Sequence, residues 1–174
     1  PARDVDHVQP KAPVKLDAGA WRVLVRAAGS DAVLARYRRE LASAVSQELT
    51  GGGEAGLWRS LLRFEEAVLA RHHNAMIVHL SAPLSAVAGA LAAAERALDN
   101  NFMPATSGRF GSGSLTLAFV PLLVDPPSAM QYVAAVSAFR GALPRDASAV
   151  VVRCPHEAKL HFDVWGSTPT DRDS

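Results

Sequence analysis

At 174 residues, 49% hydrophobic and 20% charged, with a formal net charge of +1, the chain has the composition of an ordinary globular protein. A length of this order buries roughly 70% of the surface exposed on unfolding, enough for one substantial core or two thin ones. Near-neutral charge without a lysine or arginine stripe argues against a nucleic-acid footprint. The single cysteine, Cys154, excludes an intrachain disulfide framework and a cysteine metal cluster, and its place in an apolar run marks it as a small buried hydrophobe. No apolar run approaches the ~20 residues of a membrane span, and no charged n-region with an apolar h-region opens the sequence. A cytoplasmic location is therefore expected. The chain starts at a proline and ends in a polar tail, as a piece of a longer protein would.

Residues 1–19 hold three prolines and little periodicity, and read as a linker or mobile arm. Alternation from Trp21 to Ala27 predicts a strand, stopped by Gly29 and Ser30, with Ser30 an N-cap for the next helix. Over 31–47, Leu34, Tyr37, Leu41 and Val45 recur at helical spacing, with Arg36, Arg38, Arg39 and Glu40 mostly off that stripe and solvated. Thr50 to Glu54 with its three glycines reads as a flexible break, and a second helix fits 57–70 with Leu57, Leu61, Phe64 and Val68 on one face. His72 and His73 follow it. Adjacent histidines diverge on a helix, so favourable charge at a C-terminus suits them better than metal binding.

Met76 to Leu80 is the next strand, with His79 on the face opposite Met76, Val78 and Leu80. An alanine-rich helix covers 84–98, with Asn100 and Asn101 at its stop. From Phe102 to Leu123 the chain reads as a hairpin whose second strand sets Leu115, Leu117 and Phe119 against Thr116, Ala118 and Val120. Gly108, Gly111 and Gly113 lie where the chain reverses, and glycine alone adopts positive φ cheaply there. After the breaker at 125–128 comes a helix with Tyr132, Val136, Phe139 and Leu143 on one stripe, closed by Pro144. Two final strands are predicted, Ala149 to Cys154 and Lys159 to Trp165, joined by a turn at 155–158. The second sets Leu160, Phe162 and Val164 against Lys159, His161, Asp163 and Trp165. The sum is an α+β fold: an antiparallel sheet with helices packed on one face and a ferredoxin-like β-α-β-β-α-β core over 76–154. An N-terminal strand-helix-helix and a C-terminal strand complete it.

Few residues carry recognisable chemistry. The glycines at 108–113 lead into a strand and not a helix, so hairpin glycine is the better reading than a dinucleotide phosphate loop. Ser112 and Ser114 lack the setting of a nucleophile elbow, and no histidine pair has zinc spacing, so no metal is expected. Alternation would place His161 and Asp163 on one side of the last strand, where Arg153 could join them. A histidine beside a carboxylate and a guanidinium can bind an anion or move a proton, against the plainer reading of an exposed salt bridge. Arg109 is a hairpin surface residue or an anion contact.

Arg109-Phe110-Gly111-Ser112-Gly113-Ser114-Leu115, then Val151-Val152-Arg153-Cys154-Pro155, then Phe162-Asp163-Val164-Trp165-Gly166-Ser167-Thr168-Pro169 resembles the C-terminal portion of FAD-linked oxidases, especially chains similar to the FAD-binding subunit of glycolate oxidase. Gly53-Glu54, with Gly56-Leu57-Trp58, fits the same pattern, and the resemblance spans 21–169. It implies one cap or substrate domain over 20–169, with 170–174 a tail. An upstream domain would hold FAD, the cap would shape the pocket, and a small 2-hydroxy acid such as glycolate or lactate would give a hydride to the flavin. Other oxidase subunits are implied partners. The glycine-rich flavin segments and the Asn-Pro-Gly-Arg-like stretch of that family are missing, so this stretch alone should neither hold FAD nor turn over substrate. The His-x-His metal pattern of some relatives is missing too. Arg109 and Arg153 are then candidate substrate-carboxylate contacts and His161 a candidate near the abstracted proton, the last from sheet geometry only. The alternative is a ferredoxin-like ligand-binding or subunit-association module without catalysis, since fold does not fix function.

Overall fold

The computed structural model describes residues 22–45, 47–98, 101–122 and 125–166. The proposed arm at 1–19, Trp21, Asn100 and the tail at 170–174 lie outside them. The chain divides into two compact units, Pro1–Leu62 and Arg63–Ser174.

In the first unit, helix α1 runs Asp31–Leu41 and helix α2 runs Gly51–Leu62. The strand predicted at 21–27 is not formed: residues 22–28 have no regular structure, and Val23 and Val25 are exposed. Two alternating valines cannot hold an extended segment without a neighbour to pair with. Ser30 occupies the N-cap of α1 but makes no side-chain cap bond. The glycine-rich break begins α2 instead. Gly51 has φ +58° and opens the helix, and the other two glycines fall in a first turn whose N–H groups have no intrahelical partner in any case. Arg26 bridges to Glu54 at 2.8 Å and lies 5.8 Å from the centre of the Trp58 ring. Arg36 pairs with Glu40 and Arg38 with Glu48, so these three solvated charges of α1 are exposed but tethered.

In the second unit, helix α3 spans Phe64–Arg71, strand β1 Met76–Ser81, helix α4 Leu84–Ala97, strand β2 Phe102–Arg109, strand β3 Ser114–Pro121, helix α5 Ala129–Ala142, strand β4 Ser148–Arg153 and the short helix α6 His156–Lys159. The helix expected over 57–70 is therefore two, interrupted at Arg63 (φ −103°, ψ 22°). The four strands form one antiparallel sheet in the order β2-β3-β1-β4, connected β-α-β-β-α-β. Both helical crossovers lie on one face, as the patterning predicted. Met76, Val78, Leu80, Leu115, Leu117 and Phe119 point from the sheet into a core shared with Val87, Ala90, Ala93 and Ala94 of α4 and Tyr132, Val136 and Phe139 of α5. Three buried alanines on α4 let it approach the sheet closely. Phe119 meets Phe139 edge-on at 5.6 Å, and Phe102 meets Tyr132 at 5.1 Å. Each such aromatic burial contributes about 1.5–3 kcal/mol. The Tyr132 hydroxyl donates to the Asn74 carbonyl at 2.6 Å, and burial pushes its phenol up to about 12. Ser128 caps α5 in a box with Gln131, whose side chain accepts the Ser128 amide at 2.7 Å.

Helices are not confined to that face. Phe64, Val68 and Leu69 of α3 pack on the opposite side against Ile77, Ala118, Val120 and Ala105. The C-terminal strand expected at 159–165 is absent. Residues 156–159 form α6, and 160–166 continue as bends that lie along β4. Phe162 and Val164 do pack against the core, as their alternation predicted, but Leu160 is exposed.

Candidate functional site

The register of the sheet defines what its second face carries. Side chains of paired residues share a face, and alternate residues along a strand return to it. One row across the sheet is Val150, His79, Thr116 and Ser107; the next is Ser148, Ser81, Ser114 and Arg109. The apolar half of this face lies under α3, whereas these two rows are partly or fully exposed. A half-covered sheet thus presents a patch of hydroxyls bounded by a histidine on one side and a guanidinium at the corner.

His79 is held in place. Its Nε2 lies 2.7 Å from Glu65 Oε1, and Glu65 is on the helix that covers the rest of the face. In neutral His79 that contact makes Nε2 the donor and leaves Nδ1 as an acceptor, the arrangement in which a carboxylate orients a proton-accepting imidazole. Sequence reasoning placed His79 on the right face but missed its partner. The available signal was a histidine inside an otherwise buried strand, on the face opposite Met76, Val78 and Leu80.

The sequence-derived candidates do not converge. Arg109 pairs with Ser114 at one end of the sheet, on edge strand β2, and Arg153 pairs with Ile77 at the other end, on edge strand β4. Three strand spacings and four residues separate them, on the order of 20 Å, too far for one small carboxylate. His161 and Asp163 lie on the bends after α6 rather than on a strand, so the predicted His161, Asp163 and Arg153 side of a sheet does not exist. Lys159 to Trp165 failed as a strand because its backbone finds other partners. Arg140 on α5 donates Nη1 to the Asp163 carbonyl at 2.6 Å and Nη2 to the Val164 carbonyl at 2.8 Å. Its Nε and Nη2 both reach the Ala149 carbonyl. The Val151 amide donates to the Val164 carbonyl, so a single ladder-like bond joins this strap to β4. Burial draws the Arg140 guanidinium below its usual value, partly offset by Asp163.

Beside the strap lies a shallow groove of about 340 Å³, lined by Val151, Val152, Arg153, Cys154, Lys159 and Val164. A register irregularity shapes it. β1 advances one residue from Val78 to Ile77 while β4 advances two, from Val151 to Arg153. The extra residue resets the alternation, so that Cys154 is the next residue of the chain to pack against the core while Arg153 is exposed. Cys154 is half-buried, and burial pushes its thiol up although the Lys159 ammonium pulls the other way.

Among the described residues no group of three or more His, Cys, Asp or Glu side chains is placed to hold a metal ion, and no helix is long and apolar enough to cross a membrane. The glycine-rich hairpin runs into β3 through one short turn at Phe110–Ser112, so no helix N-terminus receives a pyrophosphate there. No family model, curated protein or solved structure matches the chain.

Proposed function

We propose that the chain is the cap or substrate-facing part of an FAD-dependent oxidoreductase acting on a small 2-hydroxy acid, and that it turns the polar half of its sheet towards that substrate. The supporting observation is the two adjacent, partly or fully exposed rows of hydroxyls, one holding the Glu65-bound His79 and the other ending at Arg109. Arg109 binds the substrate carboxylate bidentately. His79, its Nε2 occupied by Glu65, takes the hydroxyl proton on Nδ1. Their Cα positions are two strands and two residues apart, roughly 12 Å, a span that two long side chains and a three-carbon acid fill. FAD, carried by another domain, supplies the hydride acceptor. Arg153 and His161 are not part of this site.

The test is a visible absorption spectrum of the full-length gene product before and after anaerobic addition of glycolate or D-lactate. A flavin spectrum that bleaches is the expected result. A colourless protein that cannot be reconstituted with FAD overturns the reading. In that case the second reading applies, an association module without catalysis. Met103, an exposed apolar residue on the same face as the polar rows, favours it.

A further inference from the structure

We infer that the groove between β4 and α6 is a separate binding site for a compact oxyanion, a phosphate or a carboxylate group. Two cationic residues, Arg153 and Lys159, line it together with Cys154. Neither cation forms a salt bridge among the described residues, whereas Arg26, Arg36, Arg38 and Arg63 each have a carboxylate within reach. No acidic residue lines the groove. The two nearby acids in sequence are Glu157, exposed on α6, and Asp163, whose Oδ1 accepts the Trp165 amide at 2.9 Å. Lys159 and Cys154 both line the groove.

The walls are built rather than incidental. The extra residue in β4 turns Arg153, which lines the groove, out of the core, and bulges recur next to binding sites because they re-aim a side chain. Val164, the opposite wall, is held by the Arg140 Nη2 bond to its carbonyl and by the Val151 amide. A guanidinium and an ammonium on residues lining one concavity can hold an oxyanion by charge-assisted hydrogen bonds. The site lies at the far corner of the sheet from Arg109, so it is independent of the proposed substrate face.

The probes are inorganic phosphate and malonate, titrated separately into the 174-residue chain at constant ionic strength, with backbone amide NMR as the readout. Saturable shifts confined to residues 151–154 and 159–164 are expected. Phosphate alone giving them identifies a phosphate-type ligand, and malonate alone a carboxylate. The double variant Arg153→Gln, Lys159→Gln changes two exposed side chains and should leave the fold intact while weakening binding at least tenfold. Arg109→Gln should leave it unchanged, which separates this site from the flavin reading. Shifts that are scattered, that chloride reproduces at equal ionic strength, or that survive the double variant overturn the inference.

Discussion

The central hairpin and the C-terminal strap carry the same kind of sequence and adopt different structures. Leu115, Leu117 and Phe119 alternate with Thr116, Ala118 and Val120, and this stretch is β3, paired on both sides and buried. Leu160, Phe162 and Val164 alternate with His161, Asp163 and Trp165, and this stretch is a bent strap. The difference lies in the backbone. Every residue of β3 has a neighbour in β1 or β2, whereas the strap meets β4 through one amide and gives its carbonyls at 163 and 164 to Arg140. Period-two hydrophobicity reports which side chains point inward. It does not report whether a ladder exists to make the segment a strand.

Truncating matched leucines should separate the two regions most widely. Leu117→Ala, at a fully buried position, should lose about 2–5 kcal/mol in urea unfolding. Leu160→Ala, 72% exposed, should change stability by less than about 0.5 kcal/mol. Equal losses would mean that the strap is as deeply packed as the hairpin. Next in size is Gly113→Ala at the hairpin turn. Gly113 has φ +66°, and an added Cβ would fall 1.7 Å from the Ala82 carbonyl oxygen. The left-handed conformation alone costs about 1–2 kcal/mol for a residue with a Cβ, so a total above about 2 kcal/mol is expected in the same assay.

Arg140→Ala sharpens the contrast from the other side. It removes four hydrogen bonds that tie the strap to α5 and β4 and leaves the carbonyls of 149, 163 and 164 without those partners. About 1–3 kcal/mol should be lost, and hydrogen exchange at the Val151 amide should accelerate while the β3 amides stay protected. Uniform acceleration across the sheet would show that the strap and the hairpin unfold as one unit. The smallest effect appears only in alkali. The Tyr132 phenol is raised to about 12 in the folded protein by burial, so its contribution is complete below the unfolded value near 10 and is lost as pH rises from there towards 12. Tyr132→Phe should remove that alkaline slope, and an unchanged slope would place its origin elsewhere.

Much of the second unit was legible because periodicity and breakers agreed. Val136 and Phe139 on one helical stripe, Leu115 to Val120 in strict alternation, and Pro144 after α5 each point to the element observed. The first unit was less legible. The alternation at 21–27 has no neighbour strand among the described residues, and Gly51 to Gly53 read as a break because glycine lowers helix propensity, although a helix's first turn tolerates it. Of the candidate residues, Arg109 falls on the open polar face and Arg153 on the opposite corner, a separation that depends on strand order and cannot be read from spacing. His79 was visible as a polar residue out of phase with its strand. Glu65, fourteen positions earlier and on a helix, became its partner only when α3 crossed the sheet.

In the proposed function, the open polar face meets the substrate carboxylate at Arg109. The most direct test compares Arg109→Gln with Arg153→Gln in the full-length, flavin-containing protein, by the KM for the hydroxy acid whose addition bleaches the flavin. The account predicts at least a tenfold rise in KM for Arg109→Gln with the resting flavin spectrum unchanged, and no change for Arg153→Gln. The reverse pattern, or no change in either variant, would contradict it.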